Sequence, residues 1–329
     1  MKITILCHAD CWGGGEISAS TLMKMFLKEG HEVSLMPYRG KTDKFRAPEG
    51  IKLRKSFVLN PYLNKGEADI LLIYANDIPH KIKAYRKNWE TILSGSYQKI
   101  CVLNHEIGQA NQEWFVERID KFIFLSNRRT VEFLNSIQQE ECTTVVLPPP
   151  VDLEPFLKVR PNYRGKKKYV RVTAQAFKWD IEETFELFTS LNRRYPESLF
   201  IFMDIPRQLR PRLWQNPNFI FLRVGSKPVN EVLSLGNLFH YMTKDNYEDQ
   251  GPRVIVEAMA SGLPVIAKPF GGAPDRITPN TGWLVKDNQE FLKVIQDMEE
   301  GELEKKGKAA REHAIKYFGP KQWVKEIAG

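Results

Sequence analysis

Cysteine is scarce in this chain, with four residues in 329 (Cys7, Cys11, Cys101 and Cys142). They are scattered, so they do not build a disulfide framework. The one close pair, Cys7 and Cys11, has neither a second pair nor a histidine cluster at zinc-ligand spacing, which favours structural thiols over a metal site. Long apolar runs are also missing. A membrane-crossing helix needs about 20 consecutive apolar residues, and no window supplies them. The apolar stretch at the start, Met1 to Leu6, is too short for a signal peptide and is broken by His8 and Asp10. It reads as a first buried strand, and the protein as cytoplasmic. Short-period repeats and low-complexity tracts are absent as well, which excludes solenoids and disordered linkers as the organising principle.

What is present is charge of one sign in excess. The formal net charge is +8 and the isoelectric point about 9.1, a balance that suits an anionic partner without choosing among phosphates, nucleic acid and lipid headgroups. The length exceeds what one hydrophobic core usually organises, and roughly 150 residues per domain gives two domains.

Short runs rich in β-branched residues alternate with amphipathic stretches, the pattern of βαβ units around a parallel sheet, so the class is α/β. In the first half the expected strands are 3–6, 32–36, 70–74, 99–103, 121–125 and 144–147, with a helix over 18–29 that Gly30 stops. The prolines of Pro148-Pro149-Pro150 cannot donate to a ladder, so the chain is expected to leave the sheet there. The pattern restarts with strands at 169–173, 199–203, 219–222, 238–241 and 264–267 and helices over 182–194 and 254–260. The expected domains are residues 1–157 and 169–329, joined by a basic linker at 158–168.

Two constellations can carry chemistry. Gly13-Gly14-Gly15-Glu16 lies between the first strand and the first helix. Glycines let backbone approach a phosphate, and a helix N-terminus presents free N–H groups to an anion; the plain reading is a tight turn. The dinucleotide fingerprint is not matched, because its third glycine would fall on Ser18. The second constellation runs from Asp249 to Ala267. Asp249 and Glu257 stand eight residues apart across Gly251-Pro252 and a helix start. If that pair opens the helix, the N–H groups of Arg253 and Val254 point at a ligand and Glu257 lies a turn further along the same side.

This second constellation resembles the retaining GT-B glycosyltransferases of family four (group 1). Members carry an acid, seven residues and a glutamate ahead of a small-residue helix and a Gly-x-Pro-Val turn, here Gly262-Leu263-Pro264-Val265. The resemblance extends over nearly the whole chain through the first glycine loop, Asn104-His105-Glu106, Phe124-Leu125-Ser126, Pro150-Val151-Asp152, Gly271-Gly272-Ala273-Pro274-Asp275 and Thr281-Gly282-Trp283-Leu284-Val285. It implies two Rossmann-like domains facing across a cleft that hinges near 151–168, with the acceptor in the first and the donor in the second. It implies a retaining transfer from a UDP- or GDP-sugar with no cofactor and no metal. By the same resemblance Glu257 bonds the nucleotide ribose, Asp249 or its neighbour Glu248 the sugar hydroxyls, and His105 sits near the sugar. The family's arginine place falls near Thr173, with Arg171 inside the strand pattern, and Lys178 fills the lysine place. Lys178, Arg253 and the Gly13–Gly15 loop would then stabilise the leaving diphosphate.

Two stretches mix cations with aromatics, 80–89 ending in Trp89, and 207–214 with Arg207, Arg210, Arg212 and Trp214. Such mixtures suit nucleic acid or an anionic membrane, and equally a solvated helix face with its aromatic turned to the core. The expected use is surface or lipid-linked glycan synthesis by a cytoplasmic, membrane-peripheral enzyme. The alternatives are modification of hydroxylated bases in DNA and a non-catalytic nucleotide-sugar-binding protein of the same fold.

Overall fold

The computed structural model describes residues 1–8, 14–38, 45–54, 57, 68–74, 85–103, 113–137, 142–172, 176–245 and 247–329. They divide into two compact units: residues 1–151 with 320–329, and residues 152–319.

The first unit is built on seven parallel strands in the order β3-β2-β1-β4-β5-β6-β7. They are β1 (Lys2–Cys7), β2 (Glu32–Pro37), β3 (Lys52–Leu53), β4 (Ile70–Tyr74), β5 (Lys99–Leu103), β6 (Lys121–Phe124) and β7 (Thr144–Val146). The central strands are apolar at successive positions because both faces are covered, as a parallel sheet requires. Alternation along β4 sorts the core in two. Ile70, Leu72 and Tyr74 join Leu22, Met23 and Phe26 of helix α1 (Gly14–Lys28) on one face. Leu71 and Ile73 join Trp89 and Ile92 of helix α2 (Arg86–Leu93) on the other. Helix α1 begins at Gly14, ahead of the expected start at Ser18, and Gly30 follows it in the left-handed region at φ 81°. Strand β3 was not expected; its two residues are exposed at the sheet edge and show no apolar pattern. Two further short helices, α3 (Glu113–Val116) and α4 (Asn127–Ser136), belong to this half.

The second unit carries six parallel strands in the order β10-β9-β8-β11-β12-β13: β8 (Lys168–Val172), β9 (Leu199–Met203), β10 (Phe219–Leu222), β11 (Leu238–Tyr241), β12 (Val265–Ala267) and β13 (Gly282–Leu284). Helices α5 (Glu154–Leu157), α6 (Ile181–Arg194), α7 (Arg210–Leu213), α8 (Val229–Leu233), α9 (Arg253–Ala260), α10 (Asn288–Asp297) and α11 (Glu302–Tyr317) accompany them. Residues 158–167 precede β8 and are held to this unit. Val159 is buried, and the Tyr163 hydroxyl donates to the Gly262 carbonyl.

The last helix, α12 (Lys321–Ala328), returns to the first unit. Trp323 and Ile327 are fully buried in the β1–β4 core, and the Trp323 indole N–H donates to the Pro148 carbonyl at 2.7 Å. The Lys99 and Lys121 ammoniums donate to the Glu326 carbonyl at 3.1 Å, neutralising the negative end of the helix. No helix among the described residues is long and apolar enough to cross a membrane.

Candidate active site

In the second sheet the chain runs from β8 outward through β9 and β10, then returns to place β11 on the other side of β8. Where strand order reverses in this way, the turns at the carboxyl ends of the two central strands diverge and leave a crevice. Lys178 follows β8 in a tight 3-10 turn (Ala176–Lys178), Tyr241 ends β11, and Asp249 lies in the segment after it. The reversal therefore brings the expected lysine and the expected acid to one place.

They meet directly. The Lys178 ammonium lies 2.5 Å from Asp249 Oδ2, with about 13% and 15% of the two side chains exposed. The Tyr241 hydroxyl donates to the same oxygen at 2.6 Å, and the Gly251 amide donates to Oδ1 at 3.2 Å. Burial would raise the Asp249 carboxyl, but the Lys178 charge and the bonds from Lys178 and Tyr241 hold it below its ordinary value. Burial, and then the Asp249 charge, push the Tyr241 phenol well above its own, so Tyr241 keeps its proton and remains the donor. Asp249 thus anchors Lys178. The family resemblance gave its carboxylate to sugar hydroxyls; here Oδ2 is already shared by two donors.

Backbone contacts fix the segment that holds Asp249. Gly271 (φ 57°) passes so close that a Cβ would lie 2.2 Å from the Asp249 carbonyl oxygen, and the Gly272 amide donates to that oxygen at 2.8 Å. Beneath lies Arg276, 2% exposed, which donates to the Gly272 and Gln250 carbonyls and whose charge acts on Asp249. Burial draws Arg276 down to about 10, still leaving it a cation at neutral pH. Lys268, at the end of β12, ties the same segment to α6 by donating to Asp245 at 2.6 Å and Glu183 at 2.8 Å.

Helix α9 starts at Arg253, with Pro252 at its cap position and no side-chain cap. Glu257, 6% exposed, lies one turn on and pairs with Arg253 at 3.2 Å. The expected nucleotide contacts thus neutralise one another on the helix face. Arg171 is fully buried in β8. Its Nη1 donates to the Met242 carbonyl at 2.6 Å and its guanidinium lies 3.5 Å from the centre of the Trp179 ring. Burial pulls it to about 9. Arg171 holds the residue next to Lys178 from below. His240 beside it is fully buried and held well below its ordinary value by burial and then by the Arg171 charge.

Of the first-domain expectations, Gly14 and Gly15 form the first residues of α1. Gly13 and His105 lie outside the described residues, as do Cys11, Thr173 and residues 80–84. Cys7 and Cys101 are buried free thiols, and burial raises both, Cys101 to about 11. The two basic-aromatic stretches part company: Trp89 is fully buried, whereas Trp214 is 64% exposed. Sequence reasoning missed Tyr241, Arg276 and Lys268, which position the pair.

Residues 208–317 match the family of group 1 glycosyl transferases. Among curated proteins no sequence matches the chain. Solved structures resemble it over its whole length. A glycosyltransferase from Rickettsia africae is 16% identical with a TM-score of 0.76, covering 99% of this chain and 96% of that one. HepE from Anabaena, solved with UDP-glucose, is 16% identical with a TM-score of 0.74, covering 100% and 98%. The lipopolysaccharide outer core galactosyltransferase WaaB is 15% identical with a TM-score of 0.69, covering 97% and 96%. At such identities the likeness establishes the fold, which is GT-B. The family match lies inside the second unit, so residues 208–317 carry a group 1 glycosyl transferase domain within a chain of GT-B fold.

Proposed function

We propose that the protein transfers a sugar, with retention, from a UDP- or GDP-sugar to an acceptor hydroxyl in surface or lipid-linked glycan synthesis. The observation that carries this reading is the Lys178–Asp249 pair at the strand-order reversal of the second sheet. An ammonium has three N–H donors, and Asp249 and the Tyr241 oxygen engage two, at 2.5 and 3.4 Å. The third is available to a phosphate oxygen. As the glycosidic bond breaks, the electron pair passes to the leaving diphosphate, and Lys178 with the N-terminus of α9 stabilises that charge without rearrangement. The acceptor hydroxyl attacks the same face and yields its proton to the leaving phosphate, so no enzyme nucleophile is needed. UDP-glucose, the ligand solved with HepE, supports a nucleotide-sugar donor. Glu257 is assigned to the ribose and His105 to the sugar, and neither a metal nor a cofactor enters the scheme.

A thermal-shift screen against UDP, GDP, ADP, CDP and their hexose conjugates tests the donor. One nucleotide, at about 100 times its Kd, raises stability by roughly 2.7 kcal/mol, a rise of several degrees. A flat response to all of them removes the reading.

Peripheral contact with an anionic membrane is supported by one further observation. Trp214 stands exposed at the end of α7, close in sequence to Arg207 and Arg210, while Arg212 of the same helix pairs with Glu182 at 2.7 Å; an interfacial aromatic near cations suits an anionic surface. Co-sedimentation with phosphatidylglycerol vesicles is expected to exceed that with phosphatidylcholine, and the double change Trp214→Ser, Arg210→Ser to weaken it about tenfold. Equal binding to both lipids counts against the contact.

A further inference from the structure

We infer that Phe177 and Tyr247 form a stacking wall for a pyranose ring beside the Lys178–Asp249 pair. The inference rests on the donor reading above and goes beyond it. Phe177 is 57% exposed, the one exposed phenylalanine among the described residues. It directly precedes Lys178 in the tight turn after β8. Its ring meets Tyr247 edge-on, with centroids 5.5 Å apart and planes at 76°. The Lys178 ammonium lies 5.2 Å from the centre of the Tyr247 ring, so both aromatics adjoin the charged pair.

The placement is built into the backbone. The Lys244 amide donates to the Lys178 carbonyl at 3.1 Å, and the Tyr247 amide to the Lys244 carbonyl at 3.1 Å. The turn carrying Phe177 and the turn carrying Tyr247 are therefore locked together. An aromatic ring left in water at such a place lacks the burial that stabilises every other phenylalanine in the sheet cores, and a ligand that covers it recovers that stabilisation.

The neighbours decide the ligand's chemistry. An ammonium and a carboxylate beside an aromatic wall suit a molecule with a C–H face and a rim of hydroxyls, which is a pyranose. A bare phosphate would use Lys178 and leave the rings exposed. The ring that stacks belongs either to the donor's transferred sugar or to the acceptor, and the two sources separate by experiment.

Phe177→Ala, Tyr247→Ala and Phe177→Trp are compared with the wild type by calorimetric titration of UDP, UDP-glucose, GDP and GDP-mannose. Saturation-transfer NMR of methyl hexopyranosides is added in the presence of the matching nucleotide. Phe177 is exposed, so its removal leaves the melting temperature unchanged and the fold intact. A donor-side wall gives Ala variants that bind the bare diphosphate normally and the nucleotide sugar about five- to tenfold more weakly. An acceptor-side wall leaves both affinities unchanged and abolishes the hexopyranoside transfer signal. Phe177→Trp keeps the wild-type values in either case. Equal weakening of diphosphate and nucleotide sugar overturns the inference, as does an absence of any change. A wild-type protein that binds none of the four nucleotides removes the donor reading itself, and the wall with it.

Discussion

Lys178→Ala is expected to lower kcat by about 10²-fold or more, because in the proposed mechanism it removes a fixed donor from the charge that develops on the leaving diphosphate. Its effect on stability follows from Asp249. In the wild type the folded carboxyl lies below its ordinary value despite burial, because Lys178 and Tyr241 outweigh the desolvation. A group depressed on folding contributes stability that is complete above its unfolded value and lost as pH falls through its folded one. The wild-type pair therefore adds stability at neutral pH and gives it up only in acid. Without Lys178, only the Tyr241 bond and the Arg276 charge oppose burial, and the folded Asp249 value is expected to rise above the unfolded one. The sign reverses: stability is then highest below the ordinary carboxylate range, near 3.9, and falls as pH rises toward 7. Breaking a largely buried pair on one side costs on the order of 3 kcal/mol at neutral pH. Urea denaturation at pH 4.5 and 7.5 reads the reversal. The double change Lys178→Met, Asp249→Asn regains most of the stability and none of the rate. A double variant that recovers turnover would show that Lys178 serves the fold alone.

That pair also marks how far the sequence could be read. Strands 70–74, 99–103, 199–203, 219–222 and 238–241 coincide with the structure residue for residue. Each is a short apolar run whose ends are set by polar residues or turns; burial on both sheet faces makes the inner four stand out, whereas 219–222 lies at the sheet edge with Ile220 36% exposed. Lys178, Asp249 and Glu257 were legible through the resemblance to the group 1 glycosyltransferases, whose motif places Asp249 and Glu257 fit by their spacing. What joins Lys178 to Asp249 is the strand order, which sets β8 beside β11 although about 70 residues separate them in sequence. Tyr241 was hidden because it reads as the last apolar residue of a strand, and its hydroxyl matters only once the Asp249 segment folds over it. Arg276 sits just after the Gly271–Asp275 loop and looks like any surface cation in sequence. Only the close passage of Gly271 and Gly272 against residues 249–250 buries it. The C-terminal helix left no sign of its destination either, since Trp323 and Ile327 give an apolar face that any core could accept. Trp89 and Trp214 show the same limit: similar surroundings in sequence, opposite fates in the fold.

Glu257→Ala is expected to weaken binding of the nucleoside diphosphate about 10- to 100-fold, the cost of one hydrogen bond between a charged group and a ligand hydroxyl. Two routes lead to such a loss, and they differ in a measurable way. Glu257 faces Arg253 at 3.2 Å with 8% of its side chain exposed, so its removal also takes a counter-charge from a largely buried guanidinium. If Glu257 acts only by holding Arg253 in place, the variant loses affinity for ribo- and 2′-deoxynucleotides alike. If its carboxylate accepts from the ribose, the wild type prefers the ribonucleotide and the variant does not. Calorimetric titration of the preferred nucleoside diphosphate and its 2′-deoxy analogue, in wild type and Glu257→Ala, forms a cycle whose coupling isolates the ribose contact. We expect coupling of roughly tenfold. Glu257→Gln, which keeps the shape and the acceptor oxygen but not the charge, retains part of the preference. Identical discrimination in all three proteins would sink the ribose assignment and leave Glu257 as the counter-charge of Arg253.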